Sequence, residues 1–175
     1  HKPPIHTMVV LGSGGHTAEM LGLLSALLPT NMYSPRTYAL ADTDHTSARR
    51  VEAFEAEHAT TDAHRASACA ASYVRLPRSR EVGQSYFTSI FTTLYATLRA
   101  LVVVFWWRPS LVLCNGPGTC IPICVAALLL RLLGIKRVSI VYVESIARVH
   151  SLSLSGWLLV HVADQFFVQW PDLVK

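Results

Sequence analysis

Short apolar runs alternate with longer helix-forming segments along almost the whole chain, and this alternation is what most constrains the fold. A strand buried on both faces of a parallel sheet reads as a short, continuous apolar run. The runs of this kind lie at residues 6–11, 37–41, 72–76, 111–114, 138–143 and 165–169. We therefore predict an α/β fold, a Rossmann-like doubly wound parallel sheet of about six strands, with the strand order 3-2-1-4-5-6 by analogy.

The segments between these runs are predicted to be mostly helical, because their apolar residues recur at helical spacing. Pro29 and Pro109 stop two of the helices, and Gly134 caps a third. The helices are expected near residues 15–28, 47–59, 87–105, 121–133 and 151–162. With 175 residues, of which 51% are hydrophobic, the chain is expected to form a single domain covering residues 1–175.

Charge is sparse in this sequence and slightly positive overall. Charged residues make up 15% of the chain and the formal net charge is +4. Nucleic-acid-binding proteins usually carry dense basic clusters, whereas the compact basic group here consists of Arg75, Arg78 and Arg80. The composition favours an anionic ligand or surface, and no nucleic-acid partner is expected.

The four cysteines fall in predicted strands and helices and form no metal-binding pair. Buried thiols of this kind behave as small hydrophobic groups, so we expect neither a disulfide framework nor a metal site. No run reaches the roughly 18 consecutive apolar residues of a membrane-spanning helix. The two longest, at residues 101–107 and 121–130, are predicted to be too short to span.

Glycine-rich turns follow the first and the fourth predicted strands. They read Gly12-Ser13-Gly14-Gly15 and Gly116-Pro117-Gly118. In a doubly wound sheet these strands flank the point where the strand order reverses, so both turns would border one crevice. Turns without side chains let a ligand approach backbone N–H groups, and a helix N-terminus beside them favours phosphate. The alternative is that the glycines only satisfy tight strand-to-helix turns.

The first turn departs from the dinucleotide-binding fingerprint. Thr17 occupies the position of the third glycine, and Asp42 lies farther along the chain than the usual ribose-binding acid. An NAD-binding oxidoreductase therefore remains an alternative, but a weaker one.

Four polar residues near these turns are candidates for chemistry. His16, in the first turn of the helix, could accept a proton from a hydroxyl, donate to a phosphate, or simply face solvent. Glu19 could orient the His16 ring, or simply be a favourable acid near a helix N-terminus. Glu144, beside Ser145 after the fifth strand, could reach the crevice or open a loop as a capping residue. Asn115 could hydrogen-bond a sugar or phosphate, or merely form a turn.

A second candidate surface combines basic and aromatic residues. Arg75, Arg78 and Arg80 border the loop after the third strand, and Trp106 and Trp107 end the long helix beyond it. Basic groups and indoles at one edge are typical of a membrane-facing surface, where they meet lipid headgroups. The alternative is a solvated loop beside a core helix, and each tryptophan taken alone is expected in the core.

Several long motifs follow one another along the chain. They are VVLGSGGHT at 9–17, ADTD at 41–44, PRSREV at 77–82, LCNGPGT at 113–119, VYVES at 141–145 and LSLSG at 152–156. With these motifs in this order, the chain resembles the membrane-anchor, acceptor-binding subunits of the eukaryotic two-chain UDP-N-acetylglucosamine transferase of dolichol-linked oligosaccharide synthesis. The resemblance covers essentially the whole chain.

The resemblance implies a split glycosyltransferase of the GT-B fold, similar to the bacterial N-acetylglucosaminyltransferase of peptidoglycan synthesis. This chain would be its N-terminal, acceptor-binding half, at the cytosolic face of the endoplasmic reticulum membrane. A separate catalytic subunit would bind the donor, UDP-N-acetylglucosamine. The pair would add the second N-acetylglucosamine to N-acetylglucosaminyl-diphosphodolichol without a cofactor or metal, and this chain alone would be inactive.

Carried over residue by residue, the resemblance implies a catalytic base at His16 and acceptor-diphosphate loops at Gly12 to His16 and Gly116 to Gly118. We expect Glu19 or Glu144 to assist His16, and Arg75, Arg78 and Arg80 to contact lipid headgroups. Family members have an N-terminal membrane helix and a C-terminal tail that this sequence is expected to lack. A purely structural anchor for the catalytic subunit is the main rival. The acceptor-diphosphate site is predicted to comprise Gly12, Ser13, Gly14, Gly15, Thr17, Asn115, Gly116, Gly118 and Thr119.

Overall fold

A single parallel sheet organises the chain. The structure, a computed structural model, describes residues 3–28, 32–59, 71–79, 85–116 and 118–174. The sheet has six strands in the order β3-β2-β1-β4-β5-β6, and every neighbouring pair is parallel. This confirms the predicted fold class and strand order. The strands are β1 (Thr7–Val10), β2 (Arg36–Ala41), β3 (Ser72–Leu76), β4 (Leu111–Asn115), β5 (Ser139–Val143) and β6 (Gln165–Phe167).

The helices fall where apolar periodicity predicted them, with one clear difference in length. The segment predicted as helical over residues 151–162 is helical only from Leu154 to Leu159, because Ser153 caps it and its apolar residues continue into a turn. A short 3-10 helix, Pro171–Leu173, follows the last strand. The α-helices of the described residues are α1 (Gly15–Leu27), α2 (His45–His58), α3 (Tyr86–Trp107), α4 (Cys120–Leu132) and α5 (Leu154–Leu159).

The core lies on both faces of the sheet, as a doubly wound fold requires. Met8 and Val10 of β1 point into a cluster with α3, α4 and α5. Val9 and Leu11 point the other way, into a cluster with α1 and α2. Successive strand residues thus face opposite layers, which is why the strands read as unbroken apolar runs.

Helix α3 contradicts the expectation that no segment is apolar enough to span a membrane. Ser89–Trp107 has a mean hydropathy of 1.6 over 19 residues, sufficient in length and composition alone. The count of consecutive apolar residues missed it, since threonines and Arg99 interrupt the run without making the helix polar. Only 22% of the segment is buried within the chain, so it is not a conventional core helix.

The outward face of α3 is apolar along its length. Trp106 is 82% exposed, so the expectation of core burial was wrong for this residue. Trp107 is half-buried and packs edge-on against the His6 ring. The inward face is lined by small or slender residues, Ala96, Ala100 and Val104. The exposed apolar residues of α3 are Phe87, Ile90, Phe91, Leu94, Tyr95, Leu98, Val102 and Trp106, and we call them the outer face of α3.

Candidate functional site

The two glycine turns meet at the carboxyl end of the sheet. Strands β1 and β4 are hydrogen-bonded neighbours, with Val10 opposite Cys114, so the turns that follow them lie side by side. Gly14 has a φ of 64° and Gly116 a φ of 67°, in the left-handed region that favours glycine. Helix α1 begins directly after the first turn and α4 after the second. Among the described residues, no side chain caps either helix N-terminus. In the first turn of α4, however, the Ile121 N–H donates to the Gly118 carbonyl at 3.3 Å, and Pro122 has no N–H to offer.

A cavity of about 220 Å³ opens between these turns and the ends of β2 and β3. His16 and the half-buried Arg78 supply its basic groups, and Thr119 a hydroxyl. The Thr119 Oγ1 atom is buried and makes no hydrogen bond within the described part of the chain. The lining residues are Leu11, Gly12, Ser13, His16, Ala41, Arg78, Ser79, Gly118 and Thr119.

Three polar side chains join the two halves of the crevice. The His16 Nδ1 atom lies 3.1 Å from Asn115 Oδ1. Asn115 in turn donates from Nδ2 to Glu19 Oε2 at 3.0 Å. Asn115 is fully buried, whereas His16 and Glu19 are half-buried. The predicted association of Glu19 with His16 therefore runs through Asn115.

Glu19 also reaches the loop that follows β5. Its Oε1 accepts a hydrogen bond from Ser145 Oγ at 2.8 Å, and its Oε2 accepts one from the Ile146 backbone N–H at 3.3 Å. One carboxylate thus links α1, β4 and the loop after β5. The three segments come from well-separated parts of the chain and are fixed relative to one another at the crevice.

Gly116 is required next to the His16 ring. A Cβ at Gly116 would lie 2.5 Å from His16 Cε1, well inside the sum of van der Waals radii. The glycine therefore allows both the positive φ of the turn and the close packing of the imidazole against the backbone.

Thr17 needs correction as a ligand-binding residue. Its side chain is completely buried beneath the first turn, where Oγ1 donates to the Gly12 carbonyl. The same hydroxyl lies 2.6 Å from Ser47 Oγ, and Ser47 Oγ donates to Asp44 Oδ2 at 2.6 Å. Thr17 supports the turn from below and does not line the cavity.

Glu144 needs the same correction. It is fully buried, and its carboxylate accepts hydrogen bonds from the backbone N–H groups of Ser145 and Ser153, both at 3.0 Å. Ser153 Oγ donates to Glu144 Oε2 as well, at 3.0 Å. Carboxylate oxygens engaged in this way hold the loop between β5 and α5 and are not available to an acceptor hydroxyl.

The other predicted acceptor-site residues fall into three positions. Gly12, Ser13, Gly118 and Thr119 line the cavity. Gly14 and Gly15 are exposed on the first turn beside it. Asn115 and Gly116 lie against the His16 ring.

Two of the three arginines assigned to lipid headgroups lie within the described residues, and their surroundings differ. Arg78 lines the cavity. Arg75 is exposed, and its guanidinium donates to the Asp42 carbonyl at 3.1 Å. Arg80 lies outside the described residues. Arg78 thus lies in the wall of the crevice, while Arg75 is exposed at the surface.

The cysteines of the described residues are buried and free. Cys114 and Cys124 have their Sγ atoms 3.6 Å apart beneath the second turn. Burial raises the pKa of the Cys114 and Cys120 thiols, and a hydrogen bond with Cys114 together with burial raises the pKa of Cys124. All three are therefore neutral packing groups. Cys69 lies outside the described residues.

Two supporting residues escaped sequence analysis although a signal for them was present. Asp44 caps α2, accepting from the Ser47 N–H at 3.0 Å, and Ser47 carries the bracing hydroxyl beneath Thr17. An Asp followed three residues later by a Ser, just before a periodic segment, fits a helix N-cap. Only the fold brings that cap under the first glycine turn.

Ser79 is a further cavity residue that the sequence analysis did not single out. It lines the cavity and donates a hydrogen bond to the Gly118 carbonyl at 3.3 Å.

Comparison with known proteins decides the family. Residues 7–175 match the family described as "Oligosaccharide biosynthesis protein Alg14 like". The chain belongs to this family. The family membership removes the NAD-binding oxidoreductase from consideration.

Curated relatives of this Alg14-family chain bear one functional name. The human "UDP-N-acetylglucosamine transferase subunit ALG14" is 53% identical over 173 residues, covering 98% of this chain and 78% of the human protein. The protein of the same name from Candida albicans is 41% identical over 167 residues, covering 95% of this chain and 71% of its own length.

Solved structures share the fold at low sequence identity. Acinetobacter baumannii MurG superposes with a TM-score of 0.67 at 16% identity, covering 99% of this chain and 43% of that one. A putative UDP-N-acetylglucosamine 2-epimerase from Listeria monocytogenes superposes with a TM-score of 0.60 at 14% identity, covering 98% of this chain and 41% of that one. The Alg14-family chain spans less than half of each, which confirms the predicted half of a GT-B fold.

Proposed function

We propose that this chain is the acceptor-binding subunit of a UDP-N-acetylglucosamine transferase, holding a lipid-linked sugar diphosphate in the crevice between β1 and β4. One observation carries the proposal: two glycine turns, each opening a helix, converge on a cavity that contains His16. The family membership and the name of the human relative supply the reaction class.

The crevice suits a diphosphate because positive potential comes from three directions. The N-termini of α1 and α4 place the positive ends of their helix dipoles beside the two turns, and the N-terminus of α1, which no side chain caps, also offers backbone N–H groups. Arg78 adds a full positive charge, and the buried Thr119 hydroxyl can donate to a phosphate oxygen. The diphosphate is thus bound by this chain's own residues, and the proposal invokes neither metal nor cofactor.

His16 is the proposed base. The 4-hydroxyl of the acceptor N-acetylglucosamine attacks the anomeric carbon of UDP-N-acetylglucosamine, the bond to UDP breaks, and the anomeric centre inverts. His16 removes the proton of the attacking hydroxyl, which makes the oxygen a stronger nucleophile. The half-buried ring lies at the wall of the cavity, where a sugar next to a bound diphosphate would lie.

A second chain is needed to supply the donor. The relatives are named as subunits, and this chain spans 43% of the MurG chain that shares its fold. We propose that a catalytic partner binds UDP-N-acetylglucosamine opposite the carboxyl end of the sheet, so that the active site forms between the two chains. The acceptor would be N-acetylglucosaminyl-diphosphodolichol, and the product would carry two N-acetylglucosamine residues.

The outer face of α3 is proposed to rest on the cytosolic surface of the endoplasmic reticulum membrane. Its exposed residues include Phe91, Leu94 and Trp106, and most of the apolar segment is not buried within the chain. Exposed apolar patches of this extent mark interaction surfaces. Arg99, which is exposed on the same helix, can contact anionic headgroups there. A membrane here would bring the lipid-linked acceptor to the crevice.

The proposal is tested by reconstituting the chain with its catalytic partner. We expect His16→Ala to lower turnover by about 10²-fold or more, because general-base catalysis contributes roughly that much. His161→Ala, which removes an exposed imidazole away from the crevice, serves as the matched control and should retain normal turnover. Near-normal turnover of His16→Ala would show that His16 is not the base and would indicate a base on the partner. Transfer by this chain without a partner would contradict the shared active site.

A further inference from the structure

A buried amide determines which nitrogen of His16 carries the proton. Resting on the proposed role of His16 as base, we propose that Asn115 and Glu19 hold neutral His16 in its Nδ1–H tautomer, with the Nε2 lone pair free. Asn115 and Glu19 are then positioning residues for the transfer reaction, linked to His16 by hydrogen bonds of 3.1 and 3.0 Å.

The direction of each hydrogen bond follows from what each group can donate. An ionised carboxylate only accepts, so the Asn115 group that faces Glu19 Oε2 must be the NH₂. The Asn115 carbonyl oxygen then faces His16 Nδ1. An amide oxygen also only accepts, so Nδ1 must carry a hydrogen. In a neutral imidazole this leaves the lone pair on Nε2, which is the form a general base requires.

The network is held in place at every member. Asn115 is fully buried and lies in β4, where its backbone pairs with Val143 of β5. Glu19 is anchored by Ser145 Oγ at 2.8 Å and by the Ile146 N–H at 3.3 Å, so its carboxylate cannot turn away. Gly116 leaves room for the imidazole and would displace it if it carried a Cβ. The ring is therefore oriented before any acceptor binds.

The same arrangement serves the charged form of the ring. When His16 Nε2 takes the proton of the acceptor hydroxyl, the imidazolium keeps its Nδ1–H bond to Asn115 Oδ1. The Glu19 carboxylate, on the far side of the amide, polarises Asn115 towards the new positive charge. The proton taken from the acceptor hydroxyl remains on His16.

The first test measures the tautomer directly in the unmodified protein. The full chain, labelled with ¹⁵N at histidine, is assembled with its unlabelled catalytic partner and examined by long-range ¹H–¹⁵N spectroscopy at about pH 8, where an ordinary imidazole is neutral. His16→Gln identifies the His16 signals by their loss. We expect a protonated Nδ1 and an unprotonated Nε2. A proton on Nε2, or a mixture of tautomers, overturns the proposal.

The second test separates the amide from its supporting carboxylate. Asn115→Leu keeps the approximate shape but cannot accept from Nδ1, so we expect tautomer mixing and a kcat about 10²-fold lower, with the donor KM unchanged. Glu19→Gln can still accept from Asn115 Nδ2 through its amide oxygen and should retain the Nδ1–H tautomer. It should lose less than tenfold in kcat, whereas Glu19→Leu should resemble Asn115→Leu. Glu57→Gln, an exposed charge change on α2, controls for net charge.

The outcomes distinguish this inference from the proposed function. If His16→Ala keeps turnover while His16 carries its proton on Nδ1, the base assignment fails and the tautomer assignment holds. If Asn115→Leu folds, as judged by its melting temperature, and keeps both turnover and the Nδ1–H tautomer, the inference fails and the base assignment stands. If Asn115→Leu does not fold, two measurements still test the inference. They are the His16 tautomer in the unmodified complex and the difference in kcat between Glu19→Gln and Glu19→Leu.

Discussion

Gly156 lies so close to Glu144 that the two residues must be considered together. A Cβ at Gly156 would fall 2.1 Å from Glu144 Oε2, and the carboxylate cannot retreat without breaking its bonds to Ser145 and Ser153. We therefore predict that Gly156→Ala lowers the free energy of unfolding by about 1–3 kcal/mol, as overpacking of a tight site does. Urea denaturation of the purified chain measures this.

The matched control is Gly22→Ala in the middle of α1. Nothing lies within 4 Å of a Cβ at Gly22, and alanine is the better helix former, so this change should stabilise the chain by about 0.5–1 kcal/mol. Combining Gly156→Ala with Glu144→Ala should cost less than the sum of the single changes, since the second removes the atom that the first would strike. If the two changes in the free energy of unfolding simply add, the contact between a Cβ at Gly156 and Glu144 is not the source of the destabilisation.

Residue identity alone misled the assignment of Glu144 and Thr17. Both types can serve at an active site, and both stand next to turns that border the crevice. Their burial and partners are set by residues distant in sequence: Ser153 for Glu144, and Ser47 for Thr17. Sequence spacing places a residue near a site, but it does not reveal whether its polar atoms are already occupied.

At the scale of elements, helix α3 carries the clearest prediction. If its outer face rests on a membrane, replacing Phe91 and Leu94 by glutamate should weaken binding of the chain to phospholipid vesicles about tenfold or more. Each side chain contributes roughly 1.5–3 kcal/mol when moved out of water. Both are more than half exposed, at 63% and 57%, so the fold should tolerate the change. Vesicle cosedimentation with neutral and with anionic lipid measures the effect.

Trp157→Glu is the corresponding control on α5. Trp157 is 61% exposed and apolar, but it belongs to a different helix and should not affect vesicle binding. Equal losses from both variants would point to non-specific hydrophobic adsorption. Unchanged vesicle binding by the α3 variant would show that this helix does not contact the membrane.

Apolar periodicity was sufficient to predict most elements and insufficient for α3 and α5. The central strands β1, β2 and β4 are buried almost throughout, so their sequence signal is strong. Strand β3 is only partly buried, yet it has the predicted bounds of residues 72–76. In α5 the apolar residues continue past the last helical turn, so the pattern overstated its length. In α3 the pattern could not separate the face that packs on α4 from the outer face, which is left largely exposed.

At the scale of the whole molecule, the strand order could be predicted only by analogy, while the meeting of the two glycine turns followed from it. Once β1 and β4 are neighbours, the turns after them share an edge of the sheet. The sequence did not predict the hydrogen bonds that join the two turns behind the cavity. Asn115 and Glu19 are 96 positions apart, and their hydrogen bond exists only because α1 crosses the end of β4.

Whether this chain contributes site residues or only anchors its partner can be decided with Gly118→Val. Gly118 lines the cavity, and a Cβ there meets nothing within 4 Å, so the side chain would fill the acceptor crevice without disturbing the fold. We expect complex formation and the donor KM to be unchanged and the acceptor KM to rise about tenfold, the loss of roughly 1.4 kcal/mol of binding. A pure anchor predicts normal kinetics for this variant. Co-purification with the catalytic partner, followed by initial rates over a range of acceptor concentrations, separates the two, because only an acceptor-binding subunit can alter the acceptor KM while leaving assembly intact.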